Sequence, residues 1–156
     1  MKKYRYLIWI LPVLAAILIF CFSAQPGEES SELSNSVVLK LLDLLSRWNP
    51  SLDTAEFPER MSIPVRKAAH ITEYLIFFLA LLAAFHVSGF GRFRRIGNSF
   101  LTAFLYACTD EIHQLFVDGR AGRFTDVLID SSGIAVLSVI LIFVNFYRVK
   151  KADRPE

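Results

Sequence analysis

Polar side chains with ionisable groups occur in otherwise apolar stretches of this chain, at spacings that place them on common helix faces. Residues three, four or seven positions apart share one face of an α-helix. Arg66, His70 and Glu73 have this spacing, and Asp110 and His113 repeat it further along. The complete set is Ser23 and Gln25; Arg66, Lys67, His70, Glu73 and Tyr74; Asp110, Glu111, His113 and Gln114; Asp126 and Asp130. Each charged group costs about 2.5–3.5 kcal/mol near a bilayer centre, so such a cluster in apolar helices indicates a functional site.

Two kinds of chemistry fit these residue types. Histidines beside carboxylates can act as general acids and bases. The candidates for that catalytic role are His70, Glu73, Asp110 and His113. Guanidinium and ammonium groups bind phosphate or carboxylate, and the segment GRAGR adds two guanidiniums at Arg120 and Arg123. The residues predicted to contact a ligand are Ser23, Gln25, Arg66, Lys67, Tyr74, Glu111, Gln114, Arg120, Arg123, Asp126 and Asp130.

Two other interpretations of the cluster stay open. Arg66 and Glu73 could form a buried ion pair that only joins helices, in which case removing one partner would destabilise the protein. His70 and Glu73 have the ligand types of a zinc site, but the HExxH pattern is missing. Asp110 and His113 would supply the remaining ligands. We therefore predict no cofactor, with a divalent metal at these four residues as the minor alternative.

Four apolar stretches could position these groups as membrane-spanning helices. They cover residues 6–25, 68–88, 94–114 and 127–147. Twenty helical residues span roughly 30 Å, the thickness of a hydrocarbon core. A cleaved signal peptide is the competing interpretation of the first stretch, because Lys and Arg precede it and Ser23-Ala24-Gln25 could follow a cleavage site. The length of the run and the three later segments favour a span.

The basic residues gather on one side of the predicted membrane. The N-terminus, the connection at 92–95 and the C-terminal segment hold ten of the 17 Lys and Arg, and the opposite side holds 13 of the 15 acids. The positive-inside rule places the basic side in the cytoplasm. Both termini are then cytoplasmic, and the polar cluster lies toward the outer face.

The first outer connection contains a further helix, which is amphipathic. Apolar residues recur at helical spacing at Leu33, Val37, Leu41, Leu44, Leu45 and Trp48. We expect this helix either on the outer membrane interface or packed on the spans, ending at 49–51 and followed by a loop up to Pro58. The predicted fold is thus all-α: a polytopic membrane protein with four transmembrane helices plus one short amphipathic helix, forming a single domain over residues 1–156.

The amino-acid composition argues against several classes of protein. Of the 156 residues, 54 % are hydrophobic and 21 % are charged, which excludes a disordered chain. The net charge of +2 offers no electrostatic footprint for nucleic acid. Two cysteines, Cys21 and Cys108, are too few for a disulfide scaffold.

Three segments resemble the signature stretches of VanZ-like membrane proteins. They are FSAQPGEES (Phe22–Ser30), IPVRKAAHITEYLIF (Ile63–Phe77) and LYACTDEIHQLFVDGRAGRFTDVLIDSSG (Leu105–Gly133). Carried over by position, the family pattern marks Ser23, Gln25, Arg66, His70, Glu73, Tyr74, Asp110, Glu111, His113, Gln114, Gly119, Arg120, Asp126, Asp130 and Gly133. Asp118 stands where many members have proline, so the following turn is less rigid here. The resemblance implies a role at the cell envelope, in a family named for teicoplanin resistance in Gram-positive bacteria.

Two functions fit the cluster and the resemblance. The first is binding of an anionic lipid or lipid-linked cell-wall precursor in the outer leaflet, which could limit the access of teicoplanin to its target. The second is a membrane-embedded enzyme acting on a lipid-linked phosphate or sugar, with His70 or His113 as acid or base. A proton-coupled transporter would need polar groups near the bilayer midplane, and here they stop at one end. The predicted partners are membrane lipids and not nucleic acid, and the predicted location is the bacterial cytoplasmic membrane.

Overall fold

The computed structural model describes the backbone of residues 2–47 and 57–152 and the side chains of residues 5–47 and 60–151. Within these residues the protein is entirely helical and contains no strand, which confirms the predicted all-α class. A 3₁₀-helix, Lys2–Trp9, leads into the first of five α-helices. These are α1 (Ile10–Ser23), α2 (Gly27–Ser46), α3 (Phe57–Val87), α4 (Arg92–Gln114) and α5 (Phe124–Ala152).

The helix ends differ from the predicted segments mainly at the start of α3. The sequence predicts a loop up to Pro58, but α3 already begins at Phe57. Proline fits the first turn of a helix because its missing N–H would have no helical partner there. α3 also continues through Pro64, which lies inside it. Trp48 and the predicted end of α2 at 49–51 lie outside the described residues.

α3 is the central helix and packs against each of the other four. Its buried apolar side chains are Tyr74, Phe77, Phe78, Leu81 and Ala84. α4 faces them with small residues, including Ala103 and Ala107, which are fully buried. Small side chains let two helices approach closely, so α4 can carry polar groups against α3 near one end.

α2 packs on α3, but not through the apolar residues that predicted it. Its buried positions are Gly27, Ser30, Ser34, Val38 and Leu42. The predicted apolar residues Leu33, Val37 and Leu41 lie on a neighbouring face and are between 41 % and 49 % exposed. Helical spacing identified the helix but not which of its faces is buried. The apolar face of α2 is therefore free to contact a membrane surface.

The two ends of the bundle have different chemistry. At one end, the Arg5 guanidinium donates to the carbonyl of Val87, and Trp9 Nε1 donates to Ser88 Oγ at 3.1 Å. Gly89, with φ of +89°, makes the turn there between α3 and α4. The N-terminal segment and the basic α3–α4 connection thus share one end, in keeping with the charge pattern. The polar cluster lies at the other.

Three helical segments of the described chain are long and apolar enough to cross a membrane: Arg5–Ser23, Arg60–Val87 and Phe124–Lys151. Many of their exposed side chains are large and apolar, as Phe143 illustrates with 70 % exposure. α4, which contains the predicted third span, is not among them. Its 23 residues would extend about 34 Å, but its buried face includes Ser99 and three ionisable or amide side chains, which lower its hydropathy.

Candidate functional site

A cavity of about 330 Å³ lies where the N-terminal half of α3, the end of α4, the α4–α5 connection and the start of α5 meet. Nine of the predicted site residues line it: Arg66, Lys67, His70, Glu111, Gln114, Arg120, Arg123, Asp126 and Asp130. Ile63, Gly119, Ala121 and Thr125 complete the lining. Three separate polar segments of the sequence therefore converge on one cavity.

α3 contributes two cations that bind different kinds of partner. Arg66 donates to Ser31 Oγ and, at 3.5 Å, to the carbonyl of Gly27, both on α2. Its Nε is buried and has no hydrogen-bond partner among the described residues. Lys67 forms a 2.7 Å ion pair with Asp126 of α5. The charge of Lys67 is thus paired within a partly exposed ion pair, while the contacts of Arg66 with described residues are to uncharged oxygens.

Arg120 holds the end of α1 from the α4–α5 connection. Its Nε and one terminal nitrogen donate at 3.1 Å to the carbonyls of Gln25 and Phe22. Burial lowers the pKa of the Arg120 guanidinium from its ordinary value, and the positive charge of Arg66 lowers it further. Both causes disfavour the charged form, while the negative charges of Asp110, Glu111 and Glu73 favour it, and a bound anion would stabilise it further.

Arg123 is held through its backbone and leaves its side chain available. Its N–H donates to Glu111 Oε2 at 2.8 Å. The guanidinium makes no hydrogen bond or ion pair with any described residue, and Arg123 is exposed at the cavity. Glu111 itself is only 6 % exposed. One buried carboxylate therefore fixes the position of a cation that is free to bind something else.

The charge balance of the cavity favours an anionic ligand with polar substituents. Among the described residues, the three guanidiniums that line it have no carboxylate within ion-pair distance, whereas Lys67 pairs with Asp126 and His70 lies beside Glu73. Two buried carboxylates, Glu111 and Asp130, also line it. Guanidinium groups match phosphate oxygens, and carboxylates accept hydrogen bonds from hydroxyl or ammonium groups.

His70 and Glu73 form the only His–carboxylate ion pair among the described residues. His70 Nδ1 lies 3.4 Å from Glu73 Oε2, and His70 lines the cavity while Glu73 does not. Neither atom has a hydrogen-bond partner within the described part of the chain. The pair brings a carboxylate close to an imidazole that could transfer protons.

Ser23, Asp110 and Gln114 form a buried network beside the cavity. Ser23 Oγ donates to Asp110 Oδ2 at 2.8 Å, and Gln114 Nε2 donates to the same oxygen at 3.1 Å. All three side chains are 6 % exposed or less, and of them only Gln114 lines the cavity. The network joins α1 to α4. Ser23, predicted to bind a ligand, and Asp110, predicted to be catalytic, therefore make no direct contact with the cavity.

Three further predicted residues also lie outside the cavity lining. Tyr74 is fully buried in the core. His113 stacks on Phe20 with a centroid distance of 4.5 Å. Gln25 contributes its backbone carbonyl to Arg120 rather than a side chain. Helical spacing grouped Tyr74 and His113 with the others, but the rotation of α3 and α4 turns them toward a neighbour, and Gln25 lies beyond the end of α1.

Sequence reasoning missed Ile63, Ala121 and Thr125 as lining residues. Ile63 lies three positions before Arg66, and Thr125 precedes Asp126. The helical register around Arg66 could have identified Ile63, whereas adjacent residues of a helix do not share a face, so Asp126 gives no such signal for Thr125. The methyl side chain of Ala121 gives no reason to predict a lining position. Only its place between the two arginines of GRAGR indicates that it lines the cavity.

The connection that carries the arginines approaches its neighbours at glycines. A Cβ at Gly27 would lie 2.1 Å from the carbonyl oxygen of Gly119, and one at Gly122 would lie 2.2 Å from that of Glu111. The Gly27 N–H donates to the Asp118 carbonyl at 2.9 Å. Gly119 has φ of +69°, a conformation that L side chains rarely adopt. Backbone contacts thus set the position of Arg120 and Arg123.

The arrangement of acids and histidines does not identify a metal centre. Within residues 5–47 and 60–151, no group of three or more His, Cys, Asp or Glu side chains is placed to hold an ion. The alternative of a divalent metal at His70, Glu73, Asp110 and His113 gains no support from this geometry.

Comparison with known proteins places the site in a family. The family model described as VanZ/LLP1 matches residues 8–145. The chain belongs to this family. The VanZ/LLP1 match extends from the 3₁₀-helix into α5 and includes every residue that lines the cavity. No curated protein and no solved structure matches the chain.

Proposed function

We propose that this VanZ-family protein spans the bacterial cytoplasmic membrane four times and binds the phosphate of an anionic lipid or lipid-linked cell-wall precursor at its outer face. α4 is the additional span in this proposal, with its polar face turned to α3 and α5. Both termini lie in the cytoplasm, as the distribution of Lys and Arg favours. α2 rests on the outer interface through its exposed leucines.

The observation that carries the proposal is the set of three guanidiniums, Arg66, Arg120 and Arg123, around one cavity, none of which pairs with a carboxylate of the described residues. A structural cluster would pair these charges with acids, as it does for Lys67 and Asp126. Charge-assisted bonds from Arg to phosphate oxygens would complete the three groups. Glu111 and Asp130 then accept hydrogen bonds from hydroxyl or ammonium groups of the headgroup.

This proposal also gives a physical route to teicoplanin resistance. A protein that holds a lipid-linked precursor or alters the anionic lipids of the outer leaflet would change the surface that a lipid-anchored glycopeptide must reach. Expression of the wild-type protein in a susceptible Gram-positive host is then expected to raise the inhibitory concentration of teicoplanin. Arg123→Gln is expected to abolish that increase.

Binding is tested most directly with Arg123→Gln, because Arg123 contributes to the cavity without supporting the fold through its side chain. The purified protein is titrated with dioleoyl phosphatidic acid and analysed by native mass spectrometry. Loss of one charge-assisted hydrogen bond reduces the binding free energy by about 1.5–3 kcal/mol, which corresponds to roughly 10- to 150-fold weaker binding. Arg47→Gln is the matched control, since Arg47 pairs with Asp43 on the exposed side of α2, and it should bind like wild type.

Equal binding by wild type and Arg123→Gln, with unchanged thermal unfolding in detergent, would contradict the proposed function. Weaker binding by Arg47→Gln to the same degree would also contradict it, because the attraction would then depend on overall charge and not on the cavity.

The His70–Glu73 pair favours a second candidate, an enzyme acting on the same class of lipid. His70 would act as general base or acid at the cavity, oriented by Glu73, and a guanidinium would stabilise developing negative charge. The lipids recovered in the same experiment separate the two candidates. An enzyme would release a chemically altered lipid with wild type but not with His70→Gln, whereas a binding protein would release the lipid unchanged with both.

A further inference from the structure

A second cavity, of about 230 Å³, lies directly beside the first and has the opposite character. Six of the residues that line it are Cys108, Ile112, Leu115, Gly122, Phe124 and Val127. We call this second cavity the α4–α5 groove, since all of these except Gly122 and Leu115 lie on those two helices. Its walls are almost wholly apolar, which suits hydrocarbon and not a headgroup.

The two cavities are adjacent and share two lining residues at a common rim. Glu111 and Arg123 line both of them, and the 2.8 Å contact between the Arg123 N–H and the Glu111 carboxylate forms the boundary. An amphiphile whose phosphate reaches the Arg123 guanidinium would therefore have its chain next to the groove. Nothing polar along the groove opposes the chain beyond this rim.

The groove runs along the helices away from the polar end. Cys108 and Ile112 are one turn apart on α4, and Phe124 and Val127 are one turn apart on α5, so both walls extend by about 5 Å in the same direction. Gly122 allows the close approach that shapes the rim, because a Cβ there would lie 2.9 Å from Leu115 Cγ. Ile112, Leu115 and Phe124 are 57–68 % exposed, so the groove opens toward the surface of the bundle.

We infer that the α4–α5 groove binds the first methylene groups of the hydrocarbon chain of a lipid whose phosphate occupies the neighbouring polar cavity. This inference rests on the proposed function and deepens it, since it makes the ligand a phosphate amphiphile and assigns a separate site to its chain. The chain leaves the protein laterally between α4 and α5, where the surrounding bilayer receives the remainder.

The test is a series of n-alkyl phosphates, from ethyl to octyl, titrated calorimetrically into the full-length protein in lipid nanodiscs. Ile112→Trp fills the groove, and Leu105→Trp is the matched control, because Leu105 is similarly exposed on α4 but does not line the groove. Wild type and Leu105→Trp should gain up to about fourfold in affinity for each buried methylene. Ile112→Trp should bind octyl phosphate at least tenfold more weakly than wild type does, while binding ethyl phosphate like wild type.

The same chain-length dependence in all three proteins would overturn the inference and leave the proposed function intact. Failure of wild type to bind any member of the series, ethyl phosphate included, would overturn the proposed function and the inference with it. The two failures are therefore distinguishable in one experiment.

Cys108 offers a second measurement that needs no bulky substitution. In a Cys21→Ser background, N-ethylmaleimide reports on Cys108, which is half-buried in the groove wall. Octyl phosphate should slow the labelling of Cys108 at least fivefold, whereas ethyl phosphate at equal occupancy should not. Equal rates with both phosphates would contradict the placement of the chain.

Discussion

At the scale of single residues, the cations around the polar cavity differ in how many of their hydrogen-bond donors already have a partner within the protein. Lys67 is paired with Asp126, and Arg120 donates to two carbonyls at the end of α1. Arg66 has one buried nitrogen without a partner in the described chain, and Arg123 has a free guanidinium. We therefore expect substitutions of Lys67 and Arg120 to affect folding and binding together, and substitution of Arg123 to affect binding alone.

Two tyrosines in the core can be compared directly, because they differ in the hydrogen bonding of the hydroxyl group. The Tyr74 hydroxyl is buried without a hydrogen-bond partner among the described residues, whereas the Tyr106 hydroxyl donates to the Ala16 carbonyl at 2.7 Å. Tyr74→Phe removes an unsatisfied group and should leave the free energy of unfolding unchanged or slightly higher. Tyr106→Phe removes a bond between α4 and α1 and should lower it by about 1 kcal/mol.

Thermal unfolding of the two tyrosine variants in the same detergent checks this prediction. Phosphatidic acid binding should be unchanged in Tyr74→Phe, because Tyr74 does not line the cavity. Destabilisation by Tyr74→Phe greater than that by Tyr106→Phe would show that the Tyr74 hydroxyl has a partner, and weaker lipid binding would restore its predicted ligand role.

At the scale of elements, the α4–α5 connection depends on glycines at its contacts with α2 and α4. Gly122→Ala would force a Cβ to within 2.2 Å of the Glu111 carbonyl oxygen, so the connection must move away from α4. We expect a destabilisation of about 1–3 kcal/mol, the usual range for overpacking, together with weaker phosphate binding as Arg123 is displaced.

Gly97→Ala is the control for this element-scale prediction. Gly97 lies inside α4, and nothing is within 4 Å of a Cβ placed there. Alanine is the better helix former, so this variant should be more stable by up to about 1 kcal/mol and should bind lipid like wild type. Thermal unfolding and lipid titration measure both effects. A Gly122→Ala protein as stable as Gly97→Ala would mean that the connection does not rest on α4.

At the scale of the whole molecule, the two ends of the bundle should lie on opposite sides of the membrane. The polar cavity includes Ala121, and the turn between α3 and α4, just before the arginines that begin α4, includes Gly91; both residues are exposed. In a background with Cys21 and Cys108 changed to Ser, Ala121→Cys should react with an impermeant maleimide applied to intact cells. Gly91→Cys should react only after the cells are permeabilised.

Labelling of both positions from outside would show that α4 does not cross the bilayer. The reverse pattern, with Gly91→Cys labelled and Ala121→Cys protected, would place the cavity in the cytoplasm and exclude an outer-leaflet ligand. Either result would be decisive for α4, whose hydropathy does not identify it as a span although its length suffices.

The sequence alone determined the helical class, the set of polar residues and the end of the molecule at which they gather. These properties follow from hydrophobic runs, from residues spaced three or four apart and from the distribution of Lys and Arg, all of which are local in the chain. The convergence of the segments that contain Arg66, Asp126 and Gly119-Arg120 was therefore predictable before any contact was known.

Only the tertiary structure decided how that polar set divides. It places Arg66 and Arg123 at the cavity, joins Asp110 to Ser23 in a buried network, and turns His113 onto Phe20. It also selects the face of α2 that packs on α3. The physical reason is that spacing defines which side chains share a face of one helix, while the rotation of that helix against its neighbours is set by packing across the whole bundle.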